Sequence, residues 1–409
     1  MTGHGGRDVR GDASSWWWRG VTLLGALLAA GLSSPPAIGA ERDVLVGVNY
    51  FAGWWSESPS KWQDTRDGHD WLREYPGRTP LLGQYNTQDV MDREIAAAAD
   101  HGVDFFAILW YYNEPGKERE PNARLLNRGL DAFVRSPNAR RLKFSVEFCN
   151  EPPYEVTTDE QWAGCVDTWV SAMRHPSYLR VGNRLVFKVH SWHHFMIQNG
   201  HDIDLARRRL DRLRGAARRA GLGEMIIGAG VGAGEAIPGG HPLARSGLFD
   251  FTATYMEVPD LKPADADYPY TRLAALAARG RRLHGEDAVP WMPYLPAGWC
   301  PRPWHDPRPC FAAPDRNDWK AALTSMASDL RGSKHLGLPL PDGTTQRVFT
   351  IYAWNEFGEG GIVAPTRGDG AMKLEGIQEV FGGDRGRTGG ADGHDRRRTH
   401  GPPGGPTTN

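Results

Sequence analysis

Two carboxylates three residues apart, Glu356 and Glu359, lie in the segment YAWNEFGEG (352–360), directly after an apolar run. That run (347–353) is typical of a buried strand, and the amide and glycines after it are typical of the loop that leaves a strand. Residues i and i+3 of a strand face opposite sides, so the carboxylates converge only if the chain turns between them, and we expect Gly358 to permit that turn. Glycosidic cleavage uses two nearby carboxyl groups with separated pKa values. The pattern therefore predicts sugar chemistry; a pair of solvated loop acids is the alternative.

The same segment resembles a known signature. Residues 354–360 (WNEFGEG), followed by Ala364-Pro365, are similar to the WNEWxEG…EP signature of the glycoside hydrolase family 99-like superfamily. That superfamily contains endo-acting α-1,2-mannosidases and the WbsX-like proteins of polysaccharide gene clusters. Two further segments match in the family's order: 47–55 (GVNYFAGWW) resembles its aromatic first strand, and 144–151 (FSVEFCNE) resembles its strand ending in A-N-E. The resemblance extends over residues 44–381.

The resemblance implies roles for the two acids. In the mannosidase members, the first Glu removes the proton of the sugar's own 2-hydroxyl, which displaces the leaving group and forms an anhydro-sugar; the second Glu protonates the leaving oxygen and later activates water. Carried over, Glu356 is the base and Glu359 the general acid/base, configuration is retained, and no metal or organic cofactor is required. The sequence departs from the family at Phe357 (usually Trp), Gly358 (usually Ala or His) and Ala364 (usually Glu). The identity of the sugar is therefore not carried over.

Strands and helices alternate along the chain. Apolar and β-branched runs predict strands at 44–51, 103–112, 142–149, 185–190, 225–231, 249–256, 289–295 and 347–353. Helical patterns lie between them at 87–102, 123–134, 158–174, 202–220, 271–283 and 318–330. About eight alternations predict an α/β fold, a single-domain (β/α)8 TIM barrel over residues 41–381, with an open doubly wound sheet as the alternative. No helix pattern follows the Gly-rich residues 228–234, so a nucleotide-binding loop is not predicted.

In such barrels the active site is built from the C-terminal ends of the strands and the loops that follow them. Aromatic, amide and acidic side chains gather there, which suits sugars because ring faces stack on aromatics while hydroxyls need oriented polar partners. We therefore predict substrate-binding roles for Tyr50, Trp54, Trp110, Tyr111, Asn150, Glu151, His190, Tyr255, Trp354 and Asn355. Glu147 lies inside its strand and is interpreted as a structural partner. His190, His193 and His194 lack metal-ligand spacing, so no metal site is predicted.

Composition limits the classes of partner. The chain has 409 residues, of which 40% are hydrophobic, enough for one large domain with a sizeable core. A formal net charge of -1 gives no long-range field, so neither nucleic acid nor an anionic membrane surface is a predicted partner. The predicted partner is a carbohydrate, and the oligomeric state stays open.

The first 40 residues have the pattern of a signal peptide. Arg7, Arg10 and Arg19 precede an apolar stretch (21–32), and small residues at 37–40 suit cleavage. The apolar stretch is shorter than the roughly 20 residues that span a bilayer. We expect a secreted, periplasmic or cell-surface protein without stable membrane insertion after cleavage; an uncleaved anchor is the alternative. Residues 382–409 lack apolar periodicity and are predicted to be disordered.

Four cysteines, Cys149, Cys165, Cys300 and Cys310, follow the predicted signal. An even count in an exported chain suggests disulfides, and three pairings are possible. We predict the local pairs Cys149–Cys165 and Cys300–Cys310, each of which closes a short loop. Zinc ligation, which lacks a CxxC spacing, and four free buried thiols are the alternatives.

Three functions fit the sequence. The first is an exported glycoside hydrolase acting on a polysaccharide or oligosaccharide, for which the resemblance implies endo action on α-mannoside linkages. The second is a glycosyltransferase-like protein of polysaccharide assembly, as WbsX-like relatives are labelled; the lack of an obvious sugar-nucleotide site weighs against it. The third is a non-catalytic carbohydrate-binding barrel, for which both Glu356 and Glu359 would be dispensable.

Overall fold

The computed structural model describes residues 42–113, 123–234, 246–259, 261–263 and 266–382. The predicted signal peptide and, apart from Gly382, the predicted disordered tail lie outside the described residues. The barrel strands are β1 (Val44–Tyr50), β2 (Phe105–Tyr111), β3 (Lys143–Cys149), β4 (Arg184–Val189), β5 (Met225–Gly230), β6 (Phe251–Ala253), β7 (in two segments, Trp291–Met292 and Tyr294–Pro296) and β8 (Thr345–Tyr352). The described α-helices are α1 (Gln88–Asp100), α2 (Ala123–Leu126), α3 (Arg128–Arg135), α4 (Asp159–Met173), α5 (Trp192–Gln198), α6 (Ile203–Arg219), α7 (Tyr270–His284), α8 (Arg316–Gly332) and α9 (Met372–Phe381).

The strands close into a barrel. Each of β1 to β6 pairs in parallel with the next strand along the chain. The first segment of β7 pairs with β6 through Thr252 and Trp291, and its second segment pairs with β8 through Tyr294 and Thr350. Finally, β8 pairs with β1 over Val44 to Val48. The predicted (β/α)8 barrel is therefore confirmed.

Side chains alternate across the barrel wall, as they must in extended strands. On the outer face, Phe148 and Phe187 contact Trp169 of α4, with ring centroids 5.0 and 4.8 Å apart. On the inner face, an apolar layer fills the end of the barrel where the strands begin: Phe105, Val186, Ile226, Phe251, Met292 and Val348. Towards the other end the inner face becomes polar, with Glu147 and Lys188 both buried. This polar part of the interior lies towards the C-terminal ends of the strands, and we call that end of the barrel the mouth.

Local signals set the ends of several helices. Thr158 caps α4, accepting a hydrogen bond from the backbone N–H of Gln161, and the Gln161 side chain accepts one from the backbone N–H of Thr158. This reciprocal capping box satisfies two N–H groups that a helix start leaves without partners. Asp202 caps α6 in a similar way, with its carboxylate accepting from two backbone N–H groups. Among the described residues, no helix has the length and apolar content needed to cross a bilayer.

The structure contains one of the two predicted disulfides. Cys300 and Cys310 are bonded, as predicted. The predicted Cys149–Cys165 pair is wrong, because both residues are free, buried thiols. Cys149 ends β3 on the inner face of the barrel, near His190, whereas Cys165 lies on α4 outside the wall, beside Trp110. The local-pairing argument failed because the barrel wall separates the two sulfur atoms.

Candidate active site

Glu356 and Glu359 lie on a tight hairpin directly after β8. Asn355–Glu356 pairs antiparallel with Gly361–Ile362, and residues 357–360 form the turn. The left-handed backbone that the turn requires is at Gly360, with φ +80°. Gly358 was the predicted hinge, but its φ is not positive. Instead, a Cβ at Gly358 would lie 2.1 Å from the indole of Trp304, so this glycine makes room for a ring.

Each carboxylate is held by a tyrosine hydroxyl. Tyr255, after β6, donates to Glu356 Oε1 at 2.8 Å, and Tyr352, at the end of β8, donates to Glu359 Oε2. The backbone N–H of Cys300 donates to the carbonyl oxygen of Glu359 at 2.5 Å, which ties the hairpin to the disulfide loop. Three separate segments of the barrel rim therefore fix the two acids.

Burial raises the pKa values of both acids. Burial, followed by the negative charge of Glu359, raises the pKa of Glu356 to about 8. Burial also raises the pKa of Glu359 above its ordinary range, and the hydrogen bond from Tyr352 and the charge of Arg308 oppose that shift. Two coupled acids titrate as a unit. Raised pKa values allow this pair to exchange protons near neutral pH, as acid–base chemistry on a glycosidic bond requires.

Lys61, in the long loop after β1, is a cation that faces both acids. Its ammonium lies over the rings of Phe51, Trp55 and Trp304, at 5.6, 5.4 and 4.5 Å from their centroids. Burial lowers the pKa of Lys61, whereas the two carboxylates raise it. The aromatic rings and the ammonium form one wall of the site, where apolar sugar faces and hydroxyls would both find partners.

Arg78 forms hydrogen bonds to the backbone of the loops beside this wall. Its guanidinium donates to the carbonyl oxygens of Phe357, Gly358 and Cys300 at 2.9, 3.2 and 3.0 Å. Burial lowers the pKa of Arg78 to about 10, which leaves it charged at neutral pH. The Arg78 side chain therefore joins the loop after β1 to the backbone of the hairpin and to the backbone of the disulfide loop at Cys300.

A polar network lies deeper on the inner face. Glu147 accepts hydrogen bonds from Asn49 at 3.2 Å and from His190 Nδ1 at 2.7 Å, and it forms an ion pair with Lys188 at 2.8 Å. Burial raises the pKa of Glu147, but Lys188 and His190 outweigh that effect and hold the pKa below its ordinary value. The ring of His190 packs edge-on against Tyr255, with centroids 4.8 Å apart. The network thus orients His190 and, through it, the tyrosine that contacts Glu356.

Several predicted site residues do meet at the mouth. Burial raises the pKa of Tyr111, and the nearby Cys149 and Glu356 raise it further, so Tyr111 lies close to both. His190 and Tyr255 lie in the network described above. Glu151 is exposed at the rim beside Cys149 and His190. These four residues accompany Glu356 and Glu359 in one constellation at the C-terminal end of the barrel.

Two predicted residues lie on the wrong side of the wall. Tyr50 points outward and donates to Glu94 of α1 at 2.6 Å. Trp110 also points outward, where it packs on Phe148 and Trp169. Their predicted positions at the mouth were wrong because the strand-end rule ignores which way alternate side chains face.

Four other predicted residues support the site without lining it. The amide of Asn355 bonds both backbone groups of Phe51, and that of Asn150 bonds both backbone groups of Ser191. Each amide therefore clamps one rim loop to the next. Trp54 donates to the backbone oxygen of Asn355 at 2.8 Å beneath the rim, and Trp354 is fully buried against Phe106. The predicted sugar contacts of these four residues are replaced by structural ones.

Sequence reasoning missed four residues of the constellation: Asn49, Lys61, Lys188 and Tyr352. Alternation would have found three of them, because Asn49, Lys188 and Tyr352 share the inner face with Glu147. A lysine inside the apolar run LVFKV is itself a signal, because a charge buried in a strand needs a partner. Lys61 lies in a loop without regular pattern, and nothing in the sequence marks it.

No protein-family model matches the sequence, and no curated protein is significantly similar to it. Solved structures do match. A protein described as "Glycoside hydrolase-like protein" is 16% identical, with a TM-score of 0.55 over 86% of this chain and 97% of that chain. The GH99 endo-alpha-mannosidase from Bacteroides thetaiotaomicron is 14% identical, with a TM-score of 0.51 over 84% of this chain and 98% of that chain. At these identities the likeness shows the fold alone, and it agrees with the (β/α)8 barrel described above.

Proposed function

We propose that this protein is an exported, retaining glycoside hydrolase whose catalytic pair is Glu356 and Glu359. The observation that carries the proposal is the coupled, buried pair on the hairpin after β8, with a tyrosine hydroxyl on each carboxylate. Buried acids with raised pKa values, gathered in the mouth of a barrel, are typical of acid–base sites. A solvated pair of loop acids, the alternative from sequence, would show neither burial nor a raised pKa.

Raised pKa values let both acids take up and release protons near neutral pH, as the proposed reaction requires. In the mechanism that the resemblance implies, Glu356 accepts the proton of the sugar 2-hydroxyl while that oxygen forms a bond to the anomeric carbon. The bond from that carbon to the leaving oxygen breaks, and Glu359 gives its proton to the leaving oxygen. Glu359 then removes a proton from water, which opens the anhydro-sugar, and Glu356 returns its proton to the 2-oxygen. Two inversions at one carbon retain configuration.

The tyrosines contribute to this scheme through their hydroxyls. Tyr255 and Tyr352 each donate a hydrogen bond, which favours the ionised form of the carboxylate that accepts it. These hydrogen bonds oppose the rise in pKa that burial causes in both carboxyl groups. Each acid can therefore exchange between its two forms during the cycle, as a base that becomes an acid must.

Export and substrate class rest on other observations. The Cys300–Cys310 disulfide is typical of proteins that fold in an oxidising compartment. The aromatic wall of Phe51, Trp55 and Trp304 supports a carbohydrate substrate, and the family resemblance supports endo action on α-mannosides. We propose a polysaccharide or oligosaccharide substrate on these grounds.

The test is a screen of the purified protein against defined α-mannans and other polysaccharides, with released oligosaccharides as the readout. Glu359→Gln should lower the turnover of an unactivated glycan by about 10²- to 10⁴-fold, because an amide cannot donate the proton. Binding of the glycan should be kept. Glu379→Gln, at an exposed glutamate on α9 that pairs with Lys320, is the matched control and should act like the unmutated protein.

The screen also separates the competing functions. Transfer from sugar-nucleotide donors without hydrolysis would favour the glycosyltransferase alternative. Glycan binding without turnover in the unmutated protein would favour the non-catalytic barrel. Turnover by Glu359→Gln at the unmutated rate would remove Glu359 from the mechanism.

A further inference from the structure

Three potential metal ligands meet at the rim of the barrel: Cys149, Glu151 and His190. One ligand atom from each lies within 4.8 Å of the other two. Cys149 ends β3, Glu151 follows two residues later, and His190 directly follows the neighbouring strand β4. Two adjacent strand ends therefore supply a thiol, a carboxylate and an imidazole to one point, without contribution from Glu356 or Glu359.

His190 is already oriented as a metal-binding histidine would be. Its Nδ1 is 2.7 Å from Glu147 Oε1, and Glu147 is itself buried and fixed by Asn49 and Lys188. Histidines that bind metals usually bond a carboxylate or carbonyl through one ring nitrogen, which leaves the other nitrogen for the ion. The Glu147–His190 pair leaves Nε2 for such a ligand.

We infer that Cys149, Glu151 and His190 form a binding site for a thiophilic divalent cation of the Zn²⁺ or Co²⁺ class. Thiolate, imidazole and carboxylate are the ligands that zinc takes, at about 2.0 to 2.3 Å, and three protein ligands leave a fourth position open. The Glu151 side chain is exposed, so it is free to move towards an ion held by Cys149 and His190. This inference departs from the absence of metal predicted from the sequence.

The local charges suit a divalent ion. On binding, the Cys149 thiol releases its proton to solvent and its sulfur bonds to the metal. The thiolate and the carboxylates of Glu147 and Glu151 then carry three negative charges, which the Lys188 ammonium and a divalent ion balance. A monovalent ion would leave the group negative, and hard cations such as Mg²⁺ avoid sulfur.

Titration of the purified full chain with Co²⁺ tests the inference without any assay of activity. We expect one Co²⁺ per chain and a near-ultraviolet charge-transfer band from thiolate to metal. Zn²⁺ should displace the Co²⁺ and remove the band, since it binds such sites more tightly. Cys149→Ser should lose the band, whereas Cys165→Ser, at the buried thiol outside the wall, should keep it.

Glu151→Ala provides a second variant that leaves the core untouched, because Glu151 is exposed. It should bind Co²⁺ about 10- to 100-fold more weakly while keeping the thiolate band. Near-ultraviolet circular dichroism of each variant checks that the fold is intact. A folded unmutated protein without the band at saturating Co²⁺, or equal bands in the unmutated protein and Cys149→Ser, would overturn the proposed site.

Discussion

Glu356 and Glu359 have different roles in the proposed mechanism, and substrates with different leaving groups can separate these roles. Glu356→Gln should be inactive even on an activated aryl glycoside, because such a leaving group needs no acid but still needs displacement at the anomeric carbon. Glu359→Gln should lose much less activity on that substrate than on an unactivated glycan, provided that activation of water is not limiting. The measurement is the ratio of the kcat/KM values of the two variants on activated and unactivated substrates.

A 2-deoxy substrate gives the matching control for the role of Glu356. It has no hydroxyl to recruit, so the unmutated protein should not hydrolyse it by the proposed route. Efficient hydrolysis, or a covalent bond between glycan and Glu356 detected by mass spectrometry, would indicate direct attack by the carboxylate. That result would overturn the roles taken from the resemblance and leave the paired-acid site in place.

At the residue scale, the acids were predictable from sequence but their surroundings were not. Glu356 and Glu359 stand out because both follow a buried strand within one short motif. Asn355 and Asn150 have the residue types of sugar ligands, yet their amides bond to neighbouring backbone. An amide uses the same atoms to bind a sugar or a backbone group. Which of the two it binds depends on the distance to the nearest backbone group, which the sequence does not show.

At the element scale, the contact between α1 and β1 contains a buried acid outside the candidate active site. Glu94 of α1 accepts a hydrogen bond from Tyr50, and burial raises the pKa of Glu94 to about 7. In the unfolded chain the pKa returns to about 4.5. The folded state therefore binds the proton more tightly, and its stability should fall as pH rises from about 4.5 to 7 and then level off.

Glu94→Gln isolates this contribution. The amide keeps an acceptor for Tyr50 but does not titrate, so the variant should gain stability relative to the unmutated protein by on the order of 3 kcal/mol between pH 4.5 and 8. Urea unfolding of both proteins over a pH series measures the difference between their free energies of unfolding. The pH dependence that Glu356 contributes is the same in both proteins and cancels in this difference. Glu375→Gln, at an exposed ion pair with Arg316, should show no such trend. A constant difference between Glu94→Gln and the unmutated protein would mean that Glu94 is ionised in the folded state.

The disulfide loop is a second element whose effect can be measured. Replacing Cys300 and Cys310 together with Ala should lower the free energy of unfolding by about 2 to 3 kcal/mol, because the bond restricts the unfolded chain and the short loop keeps this effect modest. It should also lower kcat, since the Cys300 N–H holds the Glu359 carbonyl. Reductant should lower the melting temperature of the unmutated protein and leave the double variant unchanged. Equal sensitivity of both proteins to reductant would contradict this account.

Most of the element order was predictable, because each barrel strand is an apolar run and most of the long helices have a 3.6-residue pattern with a start or stop signal. Thr158, for example, marks the start of α4 in the sequence and caps it in the structure. The helices α5 and α9 were not predicted. What the sequence did not reveal was the pairing of distant segments. The tie from Arg78 to Phe357 and Cys300 joins three loops, and no local pattern records such contacts.

At the scale of the whole molecule, closure of the barrel depends on pairs of small and large residues inside it. A Cβ on Gly228 of β5 would lie 2.2 Å from the ring of Phe251 on β6, and a Cβ on Gly47 of β1 would lie 2.2 Å from the ring of Phe105 on β2. In both pairs the glycine and the phenylalanine are register partners on neighbouring strands. In the inner layer, the phenylalanine rings therefore occupy the space that side chains at the two glycines would take.

Gly228→Ala tests this packing. The added methyl group must displace the Phe251 ring inside a close-packed layer, which should lower the free energy of unfolding by about 1 to 3 kcal/mol. Gly164→Ala is the matched control, because Gly164 lies on α4 with no atom within 4 Å of an added Cβ, and there alanine should stabilise the helix by up to about 1 kcal/mol. Denaturant unfolding of both variants gives the comparison. Equal stabilities would mean that Phe251 can move without cost and that the inner layer does not limit how the barrel closes.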